Sequence, residues 1–321
     1  MSYAILTHGG AGSPQRSSDG CVAAAAHARA VLEKGGDALA AAIEATVYLE
    51  DEPRFNAGTG ANLRLDGHTV EMDASVMTSD GRFGGVACIE RVKNPVRVAA
   101  RVMETPHLLL VGAGATAFAR RLGFPDHDPV TEAARQKHAR ALAELRGEGD
   151  GAYVVEASAW RRSGLAAIWN FPGDPPPVAV LHETPAPHLA SHEGGGDGGA
   201  GCDTVGAVVR DGHGRFAATA STGGTLYMLR GRVGDSPLMG AGVFAGPEGA
   251  VAATGVGEEI TRRFLSRTIY GWLAEGMDPA RAAQRAVDLF PEVVDVGVLV
   301  AGKGGQAIAS NRSMASALLV G

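Results

Sequence analysis

The chain has 321 residues, of which 45% are hydrophobic and 20% charged, and its net charge is −6. This composition is that of a soluble globular protein with enough residues for a sizeable core in one or two domains. The acidic balance excludes the basic surface that nucleic acids and anionic membranes require, and no apolar run approaches the roughly 20 residues of a membrane span. The composition therefore favours a soluble enzyme.

The cysteines and the first residues indicate the compartment. Cys21, Cys88 and Cys202 form an odd, scattered set without CxxC spacing, which is typical of a reducing environment and of neither disulfides nor a zinc site. The segment 1–8 lacks the charged region and long apolar region of a signal peptide. We therefore predict a cytoplasmic protein.

The predicted elements of the first half alternate between short strands and alanine-rich helices. Asp37 is expected to cap the second helix, and Asp66-Gly67 is a hairpin signal inside the second strand-like segment. Strands are predicted near 3–7, 62–77, 85–90 and 108–111, and helices near 21–33, 38–49, 115–122 and 131–146.

The second half repeats this arrangement in outline. Strands are predicted near 204–210, 215–221, 251–254, 296–301 and 306–310, and helices near 257–275 and 278–290. Hairpins imply antiparallel sheet, and helices need a sheet face to cover, so the two halves together predict a layered α+β fold.

The junction before Thr204 has the clearest chemical content. Residues 173–201 are rich in glycine and proline and predict a flexible linker, which ends at Asp203 where a β-branched strand begins. A threonine that opens a strand is usually structural. If the chain were cut here, however, Thr204 would carry a hydroxyl nucleophile and an α-amine base in one residue.

Small polar residues follow at later strand ends. Glycines beside Thr254 free backbone N–H groups that could stabilise an oxyanion. Arg232 could hold a carboxylate with two hydrogen bonds, and Asp235 could hold an ammonium group. Taken singly, these residues are more often a surface ion pair or an ordinary turn. Together they would suit the head of a zwitterionic amino acid.

Seven ordered motifs carry a resemblance to a known family. They are His8-Gly9-Gly10-Ala11-Gly12, residues 55–60, 71–77 and 93–96, Thr204-Val205-Gly206-Ala207-Val208, and residues 231–237 and 253–258. With these motifs the chain resembles the plant-type L-asparaginase and isoaspartyl peptidase family of N-terminal nucleophile hydrolases, which is related to the glycosylasparaginases. The resemblance covers nearly the whole chain apart from about 125–200.

The resemblance implies a four-layer αββα sandwich with antiparallel sheets between helical layers. It also implies autocatalytic cleavage between Asp203 and Thr204. The products would be an α-chain 1–203, whose segment 173–203 is the flexible linker, and a β-chain 204–321. Both would belong to the same globular domain, and two such αβ units would form a homodimer.

The resemblance further assigns roles within the site. Thr204 would attack the side-chain amide of L-asparagine or an isoaspartyl dipeptide and form an acyl-enzyme. Thr222 and Asn56 would lie near the nucleophile, and Thr254 and Gly255 would form the oxyanion hole. Arg232 would bind the substrate α-carboxylate and Asp235 its α-amine, with Gly257 close to the substrate. No cofactor is expected for the chemistry. A structural sodium ion is expected on the backbone carbonyls of Leu49, Glu50, Phe55 and Ala57.

Two alternatives remain open. Asp203 before the nucleophile is typical of the glycosylasparaginase branch, whereas plant-type members usually have glycine, so an N4-(β-N-acetylglucosaminyl)-L-asparaginase is one alternative. The segment 109–117 satisfies the GxGxxA form of a dinucleotide fingerprint, with Glu132 about 20 residues later. An NAD-dependent oxidoreductase is thus a distant alternative, because the next segment predicts a helix and leaves the βαβ unit incomplete.

Overall fold

The computed structural model describes residues 2–153, 157 and 204–321. The predicted linker 173–203, including Asp203 and Cys202, lies outside the described residues. Before the gap the elements are β1 Ala4–Ala11, α1 Ser18–Glu33, α2 Ala38–Asp51, β2 Met72–Thr78, β3 Phe83–Ile89, α3 Pro95–Val102, β4 Leu109–Val111, α4 Gly112–Arg121 and α5 Glu132–Arg146. After it follow β5 Val205–Arg210, β6 Phe216–Thr222, β7 Val243–Gly246, β8 Gly249–Gly255, α6 Gly257–Arg263, α7 Leu265–Ala274, α8 Pro279–Val287, β9 Val296–Gly302, β10 Gly305–Ser310 and β11 Met314–Val320.

The described strands form two sheets. The first has the order β11-β1-β5-β6-β2-β3-β4, and the second has the order β10-β9-β8-β7. Neighbouring strands run antiparallel, except that β3 and β4 are parallel. The strand β5, which begins directly after Thr204, lies inside the first sheet between β1 and β6.

Strands of the first sheet are apolar on both faces, and each face has a different partner. In β5, Val205, Ala207 and Val209 belong to a core cluster with the small residues of α1 and α2. The intervening Val208 belongs to a second cluster, shared with strands of the other sheet. Because side chains alternate across a strand, this pattern places helices on one face of the first sheet and the second sheet on its other face.

The second sheet repeats the arrangement. Val251 and Ala253 of β8 pack with α7 and α8, whereas Ala250 and Ala252 pack toward the first sheet. Many of these contacts are made by alanine, which lets backbones approach closely and accounts for the alanine-rich sequence. The expected α+β class is therefore confirmed.

Several local predictions are confirmed by side-chain geometry. The Asp37 carboxylate caps α2 by accepting a hydrogen bond from the Ala40 N–H at 2.9 Å. Asp66 holds a turn by accepting from the N–H groups of His68 and Thr69 at 3.0 and 2.8 Å. The predicted hairpin of β5 and β6 also forms, with Val205 paired to Ser221.

Other predictions are wrong in extent. The strand predicted over 62–77 starts only at Met72, because the preceding segment folds around the Asp66 turn. The helix predicted over 257–275 is two helices, because Phe264 adopts a left-handed conformation with φ 43° and ψ 52°. The elements α3, β7 and β11 were not predicted; β11 forms by pairing with β1, as in Ala4 with Val320.

Among the described residues, no helix combines the length and apolar character needed to cross a membrane.

Candidate active site

Thr204 lies buried at the start of β5, at one end of the first sheet. The pairing of Val205 with Ser221, continued by one residue, sets Thr204 opposite Thr222 on β6. Residues opposite each other in an antiparallel pair have Cα atoms roughly 4.5–5.5 Å apart. Thr222 is in turn paired with Asp73 on β2. Two threonines and a carboxylate therefore lie side by side across three adjacent strands.

His8 flanks Thr204 on the other side, because β1 pairs with β5 through His8 and Gly206. Its ring is fully buried. Burial lowers the pKa of His8 to about 4, while the backbone of Thr204 acts in the opposite direction. The imidazole is therefore neutral near physiological pH, and it adds no charge beside the threonine.

The turn after Thr222 is held by Asn56. The Asn56 side-chain N–H₂ donates to the Gly224 carbonyl at 2.6 Å, and the Asn56 carbonyl accepts from the Gly223 N–H at 2.8 Å. The Thr222 hydroxyl accepts from the Gly224 N–H at 3.0 Å. Asn56 thus lies near the paired threonines, and its contacts shape the turn that follows Thr222.

Arg232 is held by a carboxylate of the protein itself. Its Nε and Nη2 donate to the two oxygens of Glu258 at 2.8 and 2.7 Å. Burial acts to lower the pKa of Arg232, but the Glu258 ion pair outweighs it and the pKa is raised. Because Glu258 occupies the Nε–Nη2 edge, the Nη1–Nη2 edge of the guanidinium is the one that could receive a second carboxylate.

Asp235 and Gly257 lie next to Arg232. A Cβ placed on Gly257 would lie 2.9 Å from both the Arg232 Nη2 and the Asp235 Oδ1. Only glycine therefore lets the backbone at residue 257 lie this close to both groups. Burial raises the pKa of Asp235 to about 7, although the charge of Arg232 acts to lower it. The Arg232 guanidinium and the Asp235 carboxyl group thus lie on either side of the same glycine.

Thr254 and Gly255 end β8 in the second sheet. The Thr254 hydroxyl accepts a hydrogen bond from the Ala11 N–H at 3.2 Å, which ties the end of β8 to the end of β1. Gly255 has φ 139°, and a side chain there would collide with the Asp295 carbonyl. Through β1, whose His8 pairs with Gly206, Thr254 is placed at the same end of the two sheets as Thr204.

The loop expected to hold sodium follows the C-terminus of α2. The Glu50 carbonyl accepts from the Thr59 N–H at 2.8 Å. A Cβ on Gly60 would lie 2.6 Å from the Pro53 oxygen and 2.8 Å from the Phe55 oxygen, so these two carbonyls converge. Leu49 and Ala57 belong to the same stretch, at the end of α2 and in the loop. Carbonyl oxygens are the donors a hard cation prefers, and of the four expected ligands the Phe55 carbonyl is the one that converges here with another carbonyl, that of Pro53.

Three acidic residues and one basic residue hold this site together without having received a role from the sequence. They are Glu71, Asp73, Glu258 and Arg64. Glu71, Asp73 and Glu258 lie inside the family motifs 71–77 and 253–258, and this position could have marked them as site residues. Arg64 had none, because its partners are distant in the chain.

The segment 109–117, which matches a dinucleotide fingerprint, does not lie in the βαβ unit that such a fingerprint requires. Gly112 opens α4 after the three-residue edge strand β4. In the part of the chain up to residue 153, α4 is followed by α5 and by no further parallel strand. The βαβ unit that would hold a dinucleotide is therefore not formed there.

Comparison with known proteins identifies the family. The family model Asparaginase_2, described as asparaginase, matches residues 1–319. The chain belongs to the asparaginase family. A plant-type L-asparaginase of Pyrococcus abyssi is 39% identical over 293 residues, covering 89% of this chain and 84% of that protein. An isoaspartyl peptidase/L-asparaginase of Danio rerio is 36% identical over 301 residues, covering 91% and 82%.

A member of the glycosylasparaginase branch also matches this asparaginase-family chain. The N(4)-(β-N-acetylglucosaminyl)-L-asparaginase of Elizabethkingia miricola is 32% identical over 268 residues, covering 83% of this chain and 65% of that protein. The match spans a smaller part of the relative than the two described above. The resemblance inferred from the motifs is thus confirmed, and the comparisons favour the plant-type and isoaspartyl branch.

Proposed function

We propose that this protein is an autoprocessing isoaspartyl peptidase and L-asparaginase that hydrolyses β-aspartyl amide bonds through Thr204. One observation carries the proposal beyond family membership. Arg232 and Asp235 both lie against Gly257, where a Cβ would come within 2.9 Å of each, in a molecule that also sets Thr204 opposite Thr222. Opposite charges a few ångströms apart suit the α-carboxylate and α-ammonium of an aspartyl group.

Processing would create the nucleophile. In the uncut chain, the Thr204 hydroxyl would attack the Asp203 carbonyl, and the acyl group would move from nitrogen to oxygen as an ester. Water would then cleave that ester, which leaves the α-chain 1–203 and a β-chain 204–321 that begins with Thr204. The α-amine so released has an ordinary pKa of about 7.7–8.0, so a useful fraction is neutral near pH 7.

Hydrolysis would use the same groups again. The α-amine of Thr204 takes the hydroxyl proton as its oxygen attacks the side-chain amide carbon of the substrate. Ammonia or the second amino acid leaves with a proton, and a β-aspartyl ester remains on Thr204. Water activated by the same amine then releases aspartate. Thr222, on the neighbouring strand, orients the nucleophile.

The developing oxyanion needs hydrogen-bond donors at the opposite end of the reacting bond. We assign this role to the Thr254 hydroxyl and the Gly255 N–H. The Thr254 hydroxyl is held at the end of β8 by a hydrogen bond that it accepts from the Ala11 N–H at 3.2 Å. Preorganised donors of this kind are typically worth 10²–10³ in rate.

The loop 49–60 would hold a sodium ion that takes no part in the chemistry. The ion would rest on carbonyls of the kind seen at Phe55, with Leu49, Glu50 and Ala57 as the further expected ligands. When bound, it would fix the loop from which Asn56 holds the Thr222 turn. No cofactor is needed for the proposed steps.

The proposal extends to the fold, the oligomeric state and the cellular location of the protein. Helix packing on the outer faces of two sheets that share a core supports a four-layer αββα sandwich of the N-terminal nucleophile type. We further propose a homodimer of αβ units, to be tested by analytical ultracentrifugation. A cytoplasmic location is supported by Cys21 and Cys88, which are buried free thiols.

A panel of three substrates tests the activity. We expect hydrolysis of a β-aspartyl dipeptide and of L-asparagine, with release of aspartate, and weaker hydrolysis of N-acetylglucosaminyl-asparagine. Preference for the sugar conjugate would move the protein to the glycosylasparaginase branch. No release of aspartate from any of the three, together with a nicotinamide-dependent change in absorbance, would overturn the proposal in favour of an oxidoreductase.

A further inference from the structure

Two buried carboxylates lie beneath the loop that carries Arg232. Glu71 directly precedes β2 and Asp73 is the second residue of that strand, so both side chains point to the same face. Both are at least nine-tenths buried. Neither is among the residues to which the proposed reaction assigns a role.

Glu71 holds the loop on the N-terminal side of Arg232. Its two oxygens accept from the Gly231 N–H at 3.1 and 3.0 Å. The same carboxylate accepts from the Arg64 Nε at 3.2 Å. The residue before the clamp is therefore fixed by a carboxylate that is itself held by a buried cation.

Asp73 holds the loop on the C-terminal side. Its Oδ2 lies 3.5 Å from the Gly234 N–H, a long contact, and its Oδ1 accepts from the Cys88 N–H at 2.8 Å. Cys88 has φ 49°, which is unusual for a residue with a side chain. The strained backbone at Cys88 directs its N–H toward Asp73.

Arg64 connects Glu71 to the turn that follows Thr222. Its guanidinium is 1% exposed and donates to the Gly223 carbonyl at 2.9 Å and to the Glu71 carbonyl at 2.6 Å. Gly223 directly follows Thr222. One buried arginine therefore links the turn beside the nucleophile to the carboxylate beneath the substrate clamp.

We propose that Glu71 and Asp73 are positioning residues that fix Arg232 for recognition of the substrate α-carboxylate, with Arg64 tying them to the Thr222 turn. The inference rests on the proposed function, because it takes Arg232 to be the carboxylate clamp. Each carboxylate accepts from two different N–H donors. One donor lies in the loop of Arg232, and the other is the Arg64 Nε for Glu71 and the Cys88 N–H for Asp73. An amide of the same size has only one oxygen and would set its own N–H₂ against one of those donors.

The variants Glu71→Gln and Asp73→Asn therefore remove one acceptor without changing volume. The readout is the ratio of kcat/KM for L-asparagine to that for β-alaninamide, which is asparagine without its α-carboxylate. A hydrogen bond to a charged group is worth about 1.5–3 kcal/mol, so loss of the clamp geometry should lower this ratio by roughly 10- to 100-fold. Asp80→Asn, an exposed carboxylate in the turn after β2, should leave the ratio unchanged.

Arg232→Ala tests whether Arg232 binds the α-carboxylate, independently of Glu71 and Asp73. If this variant keeps the wild-type ratio, the clamp assignment in the proposed function is wrong. If it lowers the ratio, Glu71→Gln should lower it too, and the double variant should fall no further than Arg232→Ala alone.

Two results would overturn the inference while the proposed function stands. One is an amide variant that loses activity equally on both substrates, with its ratio intact, since that indicates general damage. The other is failure of both amide variants to fold, which would make the two carboxylates structural. If only one folds, the ratio measured on that variant decides.

Discussion

The Arg232 guanidinium is bound by Glu258 in a two-bond ion pair, with nitrogen–oxygen distances of 2.8 and 2.7 Å. The pair fixes the plane of the guanidinium, with its Nη2 beside Gly257 and its Nη1 beside Gly234. Since Glu258 and the loop of Arg232 come from separate segments, this orientation of the guanidinium exists only in the folded chain.

Gly257→Ala should block the pocket without disturbing the rest of the molecule. The added methyl group would lie 2.9 Å from both the Arg232 Nη2 and the Asp235 Oδ1, where one of them has to move. A displacement of about 1 Å can cost 10²-fold in rate, so we expect kcat/KM for L-asparagine to fall by roughly that factor. The control is Gly114→Ala in α4, where a Cβ meets nothing within 4 Å among the described residues. Equal activity of the two variants would contradict the pocket assignment.

The pH dependence of KM should report Asp235. Burial raises the pKa of Asp235 to about 7, with Glu258 and Asp73 adding to the rise and Arg232 opposing it. Below that pH the group is protonated and loses its attraction for the substrate ammonium. KM for L-asparagine should therefore fall as pH rises from about 6 toward 8, until Asp235 is fully ionised.

Glu258→Gln should shift that profile. Removing the Glu258 charge takes away one influence that raises the Asp235 pKa, and it releases Arg232 to interact with Asp235. The midpoint of the KM profile should therefore move to lower pH, while KM at high pH rises because Arg232 is less well oriented. A midpoint that stays at the wild-type value or moves upward would show that another group controls binding.

Glu50→Gln tests a different buried carboxyl. Burial raises the pKa of Glu50 to about 8, although its hydrogen bonds from Ser221 and Val96 act to lower it. The native state therefore holds a proton that the unfolded chain releases, and this contribution to stability is lost as pH rises from the unfolded pKa of 4.5 to about 8. Tm of the wild type should fall over this interval relative to Glu50→Gln. Glu33→Gln, with an exposed side chain, should track the wild type, and a Glu50→Gln profile parallel to the wild type would contradict the shift.

Local chemistry determined which features could be predicted from the sequence. Asp37 was predicted as a cap because its partner, the Ala40 N–H, is three residues away. The strand β11 was missed because it forms only by pairing with β1 from the other end of the chain. The break at Phe264 was missed because a left-handed phenylalanine contradicts local preference and is imposed by tertiary structure.

In the site, too, residues within motifs could be predicted from the sequence, whereas contacts between distant residues could not. Motif resemblance located Thr204, Arg232 and Asp235 as candidates, since each stands in a recognisable run. The ion pair between Arg232 and Glu258 spans 26 residues, and the contact of Arg64 with Gly223 spans 159. Such supporting contacts depend on how loops meet in space, and no periodicity or spacing in the sequence records them.

The central claim is that Thr204 becomes a nucleophile when the bond before it is cut. Intact-mass and N-terminal analysis of active protein tests this most directly, with Thr204→Ala measured in parallel. We expect two chains, residues 1–203 and 204–321, the second beginning with Thr204, and an uncut, inactive chain for Thr204→Ala. Full activity in an uncut wild-type chain, or turnover by the uncut variant, would contradict the account.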